Sequence, residues 1–313
     1  MKSYFESQLI PIVVLLLIVV IAGAISPVFF SSANIKNLFV QIALNMIVSM
    51  GMLCVILTGG IDLSVGSIVA ISGVLVAGFM RSMPLYLAIL LTLGITIVIG
   101  LVTGLIVSKV RIAPFIVSLG MMSLARGCAY WYTRSTPIIW ASFSGADKMY
   151  QIGSGALFDR IPIPAIIWLL VCILISLMLR YTVVGRIFYC LGGNEEAVRL
   201  SGIDITKWKA VPYVISGLCC GIGGIVLTAR LGVGAPTSGT GLELDCIAAT
   251  VIGGTSLSGG IGTVSGVIIG VFILGIINNI LDLMSVPAYP QMILKGAIVV
   301  VSVILSTRRN KET

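Results

Sequence analysis

Three observations predict an all-α integral membrane protein: a polytopic bundle of about ten transmembrane helices with an internal repeat. Mean hydropathy is +1.16, with 58% hydrophobic and only 10% charged residues among 313, more apolar surface than a soluble domain of this length tolerates. The apolar runs are continuous rather than alternating, which selects helices over a barrel. The third observation is a glycine-rich string that occurs twice, T-G-G-I-D-L-S-V-G at 58–66 and I-G-G-T-S-L-S-G-G at 252–260. At an offset of 194, Gly59, Gly60, Leu63, Ser64 and Gly66 recur as Gly253, Gly254, Leu257, Ser258 and Gly260, while Asp62 becomes Ser256. The repeat halves fall at roughly 35–132 and 210–306.

A span needs roughly 20 apolar residues, so one domain covering 1–313 holds the whole set. The first run, 9–25, follows Lys2 and continues to Phe30. Ala22-Gly23-Ala24 mimics a signal-peptide cleavage site, but the run exceeds an ordinary signal core and reads as a retained span. Further spans are expected at 39–57, 67–80, 85–107, 115–132, 163–179, 211–227, 246–252 with its flanks, 262–281 and 292–306.

With Lys2 inside, an even count returns Lys109, Arg111, the segment 180–209, and Arg308, Arg309 and Lys311 to the cytoplasm. Both termini are then cytoplasmic, and eleven of the 19 lysines and arginines lie inside, as the positive-inside rule requires. Topology and lipid contact therefore account for the net charge of +8, and nothing points to nucleic acid. Trp131, Trp140, Trp168 and Tyr181 fall near expected interfaces, where aromatic belts form. The outer segment 134–161 reads as a compact loop or short surface helices.

Several chemistries are excluded. The seven cysteines (54, 128, 172, 190, 219, 220, 246) contain no C-x-x-C spacing and lie mostly in apolar runs, so they read as packing residues rather than disulfide or metal ligands. There is no histidine, which removes the commonest metal ligand and catalytic base. L-S-G-G at 257–260 imitates an ATPase signature, yet no G-x-x-x-x-G-K-[ST] accompanies it to hold phosphate.

The segment 180–209 carries a short helix. Asn194 is positioned to cap it, Glu195 and Glu196 suit its positive end, and Gly202 is a natural stop. About two turns would present Ala197, Val198 and Leu200, too little to be stable in water without docking on a partner or on its own bundle. Residues 196–202, E-A-V-R-L-S-G, resemble the E-A-A-x-x-x-G motif in the cytoplasmic loop of ABC importer permeases, with Val198 in place of the second alanine. C-L-G-G-N at 190–194, R-L-S-G-I at 199–203, G-T-G-L-E-L-D at 239–245 and the two glycine strings extend the match. Nearly end to end, the chain is similar to the ribose-type sugar permeases of bacterial ABC importers.

That resemblance implies a multi-pass subunit of the bacterial cytoplasmic (inner) membrane, used in two copies, carrying ribose or another monosaccharide. More distant members carry an autoinducer, nucleosides or branched-chain amino acids. It implies a cytoplasmic ATPase with two nucleotide-binding cassettes, an extracytoplasmic sugar-binding protein, and no cofactor in this chain, MgATP being held by the ATPase. Gly193, Asn194, Glu195, Glu196, Ala197, Arg199, Leu200 and Gly202 are then the ATPase-coupling residues.

Candidates for the translocation pathway are the polar groups at membrane depth: Asn45, Asp62, Ser64, Arg126, Glu243, Asp245, Asn278 and Asn279. A charge there reads as functional by default. Adjacent glycines weaken a helix, so the strings predict either a cavity or a tight helix contact. Asp62 either accepts hydrogen bonds from sugar hydroxyls or caps the helix starting near Leu63, and the cap is preferred. Arg126 is expected to face the bundle, with Asp62 or Glu243 as its partner. Glu243 and Asp245 either cap the eighth span or line an outer vestibule. The asparagine amides serve a hydroxylated ligand or a neighbouring helix, and Lys295 is placed to snorkel. The rival reading is an ion-coupled secondary transporter with Asp62 as the coupling group. A Ser-His hydrolase lacks its histidine.

Overall fold

The computed structural model describes residues 2–287, 289–294 and 296–297. Most of the expected span 292–306, together with Lys295, Arg308, Arg309 and Lys311, lies outside the described residues. In chain order the elements are α1 (Lys2–Ile25), α2 (Ser32–Gln41), α3 (Ala43–Leu57), α4 (Val65–Phe79) and α5 (Leu85–Leu105), which runs on as a π-helical turn, Ile106–Val110. Then come α6 (Pro114–Thr133), β1 (Ile138–Ile139), α7 (Ala146–Ser154), β2 (Ala156–Leu157), β3 (Ile161–Pro162), α8 (Ile163–Tyr181), α9 (Val183–Gly193) and α10 (Glu195–Leu200). The remainder is α11 (Ile205–Leu231), β4 (Val233–Gly234), α12 (Leu242–Ile252) and α13 (Val264–Leu283).

Local chemistry sets many of these ends. Pro114 opens α6, where a missing N–H costs nothing. Asp204 starts α11 by accepting from the Thr206 and Lys207 amides at 3.0 and 3.4 Å, and Gly232 stops it in the left-handed region, φ 76°. Thr263 starts α13 by accepting from the Gly266 amide at 3.0 Å.

Helix α11 is the axis of the bundle. Two G-x-x-x-G steps, Gly100 and Gly104 on α5, Gly217 and Gly221 on α11, bring these helices together. A Cβ at Gly100 would overlap the Tyr213 carbonyl, one at Gly104 would lie 2.6 Å from the Ala210 carbonyl oxygen, and one at Gly217 would overlap the Thr96 carbonyl. On α3, a Cβ at Gly51 would stand 2.8 Å from the Ser216 Cα. Ser72 on α4 donates to the Gly221 carbonyl at 2.7 Å. Close approach of this kind is how helices associate where lipid removes the hydrophobic drive between them.

Segment 134–161 folds as α7 with β1, which pairs antiparallel with β4 after α11, and the antiparallel pair β2 with β3. It is pinned to α11 by Trp140, whose indole donates to the Thr228 carbonyl at 3.0 Å. Trp140 is thus buried, and so is Trp168, which packs on Phe39 and Phe272. Both depart from the aromatic-belt expectation, because each ring fills a gap between packed elements. Trp131 and Tyr181 are exposed, at 84% and 65%, as a belt requires.

Among the described residues, five helical stretches are long and apolar enough to cross a membrane: Ser32–Leu57, Leu85–Val110, Ile163–Tyr181, Ile205–Leu231 and Val264–Leu283. Leu9–Ile25, Val65–Phe79 and Val183–Gly193 are shorter apolar helices. The outward faces of α1, α5 and α8 carry exposed leucines, isoleucines and valines such as Leu16, Leu90 and Leu174, which suits contact with lipid.

The α5–α11 contact generates a prediction. Gly100→Ala is expected to destabilise the fold by about 1–3 kcal/mol through overpacking, seen as a lower melting temperature in detergent. Gly94→Ala, where a Cβ meets nothing within 4 Å, leaves melting unchanged or slightly raised.

Candidate functional site

Both glycine strings end a helix in the same way. After α3, Gly59 takes φ 75°, its amide bonds the Ile56 carbonyl at 2.9 Å, and the Gly60 amide reaches back to Val55 at 3.1 Å. After α12, Gly254 takes φ 88°, bonding Val251 at 2.9 Å, while Thr255 reaches Thr250 at 3.1 Å. Each is a Schellman stop. The left-handed glycine is the first of one pair and the second of the other, so Gly59 matches Gly254 in conformation, one residue off the register of the sequence alignment. Either glycine of a doublet can adopt φ > 0, and the alignment has no means to choose.

Asp62 follows the first stop and is buried at 2% exposure. One carboxylate oxygen accepts from the Ser64 amide at 3.0 Å and from the Ser64 hydroxyl; the other accepts from Ser216 on α11 at 2.8 Å. The carboxylate therefore does two things: it organises the entry to α4 and fastens that entry to α11. The 15-residue α4 and the 11-residue α12, at about 1.5 Å per residue, are shorter than the roughly 30 Å of a hydrocarbon core. Their N-terminal ends meet. A Cβ on Gly66 would lie 2.7 Å from a Glu243 carboxylate oxygen, and one on Gly239 would lie 2.7 Å from the Gly66 carbonyl oxygen. Glu243 and Asp245, both half-buried, occupy the first turn of α12, where the helix dipole favours them.

Arg126, on α6, donates to the carbonyls of Pro236 and Ser238 at 2.6 and 2.7 Å. Of the two expected carboxylate partners, Glu243 acts on the guanidinium through its charge, while the Asp62 oxygens are engaged by serines. The Arg126 bonds hold the irregular stretch 235–241, whose main chain would otherwise be left short of partners inside the bundle. Asn279 exchanges two amide bonds, 2.9 and 3.0 Å, with Asn34 of α2, so it joins helices. Asn45 and Asn278 are half-buried. Ser216 and Asn34 were not distinguishable in the sequence, because a serine or asparagine within an apolar run gives no sign of which distant residue it meets.

At the opposite end of α11 lies the second cluster. Asn194 accepts from the Ala197 amide at 2.9 Å, Gly202 takes φ 80°, and α10 stands between them as the caps predict. Val198 is buried with Ile187 and Leu191, backed by Ile203, Ile205 and Trp208. Ala197 and Leu200 face outward, Leu200 at 78% exposure. Glu195 pairs with Lys209, and Glu196 with Arg199. The Glu196 carboxylate raises the Arg199 pKa above its ordinary value. A groove of about 690 Å³ separates α10 from the turn after α5, lined by Arg111, Pro114, Glu196, Asp204 and Lys209 among others. The side-chain position of Gly193 is open, with nothing within 4 Å.

The model of one protein family, described as branched-chain amino acid transport system / permease component, matches residues 34–303. The chain belongs to that family. Among curated proteins this permease is 40% identical to the ribose import permease protein RbsC of Escherichia coli K12, over 95% of this chain and 93% of that one. It is 41% identical to RbsC of Bacillus subtilis, over 96% and 92%, and 36% identical to the D-allose transport system permease protein AlsC of E. coli K12, over 93% and 89%. No solved structure matches. The resemblance to sugar permeases of ABC importers therefore holds across the chain, and with its apolar helices this permease is a multi-pass membrane protein.

The Asp62 geometry predicts unequal variants. Asp62→Asn keeps an acceptor and is expected to assemble and transport normally. Asp62→Ala strands the Ser64 amide and the Ser216 hydroxyl, at about 1–3 kcal/mol for each buried unpaired group. Thermal unfolding alongside uptake in membrane vesicles checks both, and loss of uptake by a well-assembled Asn variant would return the carboxylate to the pathway.

Proposed function

We propose that this permease imports ribose or a related monosaccharide, delivered by an extracytoplasmic binding protein and driven by a separate cytoplasmic ATPase that holds MgATP in two cassettes. Two copies of the chain form the translocation unit in the bacterial inner membrane. Each has about ten spans, both termini inside and an internal repeat near 35–132 and 210–306. The observation that carries the reading is α10: a capped helix anchored by buried Val198 that turns Ala197 and Leu200 outward. An apolar side chain held clear of its own fold is suited to a groove on a partner. Asn194, Glu195, Glu196, Arg199 and Gly202 set the shape and charge of that helix.

Substrate passage is assigned to the region where α4 and α12 meet, with Asp62, Ser64, Glu243 and Asp245 nearest and Asn45 and Asn278 on neighbouring helices. Arg126 and Asn279 support it through their bonds to main chain and to Asn34. Ion coupling through Asp62 is disfavoured, because both its oxygens are engaged by serines. The substrate preference follows the names of the relatives, ribose, D-allose and L-arabinose permeases among them.

Leu200→Asp is expected to leave insertion intact, abolish copurification with the ATPase and lower ATP-dependent uptake by about tenfold or more, the scale of one lost apolar anchor. Breaking the exposed Glu196–Arg199 pair by Arg199→Ala is expected to change stability by under about 1 kcal/mol. Uptake driven by an ion gradient in vesicles lacking any ATPase would overturn the importer reading.

A further inference from the structure

We infer that Gly192 gears the docking helix to both glycine turns at once, acting as a positioning residue for the transport cycle; this rests on the importer reading. Only Asn194 separates α9 from α10. The last turn of α9 lies directly on two other elements. A Cβ at Gly192 would overlap the Leu57 carbonyl oxygen at the end of α3 and the Gly260 amide in the turn before α13, and would lie 2.9 Å from the Gly259 carbonyl carbon. Those two elements are themselves joined, the Gly260 amide donating to the Leu57 carbonyl at 3.0 Å. From the other side, a Cβ at Gly259 would stand 2.8 Å from the Gly192 Cα and 2.9 Å from the Gly59 nitrogen. One turn earlier on α9, the Tyr189 hydroxyl donates to the Gly262 carbonyl at 2.9 Å.

Three main chains thus meet with no side chain between them. Packed main chain has no rotamer with which to absorb a displacement, and close-packed contacts transmit strain. A shift of α10 imposed by a partner is therefore carried by α9 to the stop after α3, which leads through Asp62 into α4, and to the turn that joins α12 to α13. Gly94 on α5 provides the comparison: a Cβ there meets nothing within 4 Å, and the residue lies outside the docking segment.

The test measures uptake per ATP hydrolysed by the permease assembled with its ATPase and binding protein in proteoliposomes, with labelled ribose as the probe. Gly192→Ala is expected to lower that ratio by about tenfold, the size of a coupling change of roughly 1–2 kcal/mol, while Gly94→Ala keeps it. A ratio within about twofold of the unaltered complex for Gly192→Ala, or an equal loss for Gly94→Ala, overturns the inference. Tyr189→Phe is the milder variant and decides the matter if Gly192→Ala does not assemble: a drop in the ratio with normal copurification supports the gearing, and an unchanged ratio rejects it. Absence of ATP-dependent uptake by the unaltered complex would instead reject the importer reading.

Discussion

Helix α11 meets α3, α4 and α5 at separations set by main chain, with glycines at 51, 100, 104, 217 and 224 where a Cβ would run into a neighbouring backbone. In a lipid environment apolar side chains gain little by leaving the solvent, so association depends on dispersion and on hydrogen bonds between helices. Both become stronger as the axes approach. The short α11 spacing is what lets Ser72 reach the Gly221 carbonyl and Ser216 reach Asp62. A single added methyl group at these crossings acts on the packing and on the polar bonds together.

The polar groups at depth follow from this arrangement. Segments 58–64 and 235–241 are not helical, and their buried amides and carbonyls need partners that a helix would otherwise supply. Asp62 serves the first through Ser64, and Arg126 serves the second through Pro236 and Ser238. Only a main chain secured by such groups is able to interrupt its helices inside a membrane, and the interruptions are what give α4 and α12 their meeting ends.

Much of this was legible in the sequence, and the limits have physical reasons. Hydropathy placed runs at 85–107, 115–132 and 163–179 close to α5, α6 and α8, because a long apolar run has few alternatives to a helix. The ends of α10 were readable from Asn194 and Gly202, since capping is local. The partner of Asp62 was not, because Ser216 lies 154 residues away and nothing near either residue records the other. Arg126 was expected beside a carboxylate, and Glu243 does act on it through charge, but its hydrogen bonds go to main-chain carbonyls, which satisfy a guanidinium equally well. The burial of Trp140 and Trp168 escaped notice for a related reason: an indole near a helix end looks the same whether it faces headgroups or a neighbouring helix.

The order of α11 in the chain has a consequence for biogenesis. Its packing partners α3, α4 and α5 all precede it, so during synthesis they enter the bilayer before the helix that unites them exists. Until about residue 231 has emerged, the glycine surface of α5 and the serines of α3 and α4 face lipid or a chaperone. By chain order, the helices that surround α11 are made before the bundle is able to close around it. The interval before closure is the period in which partly assembled chains are most open to degradation.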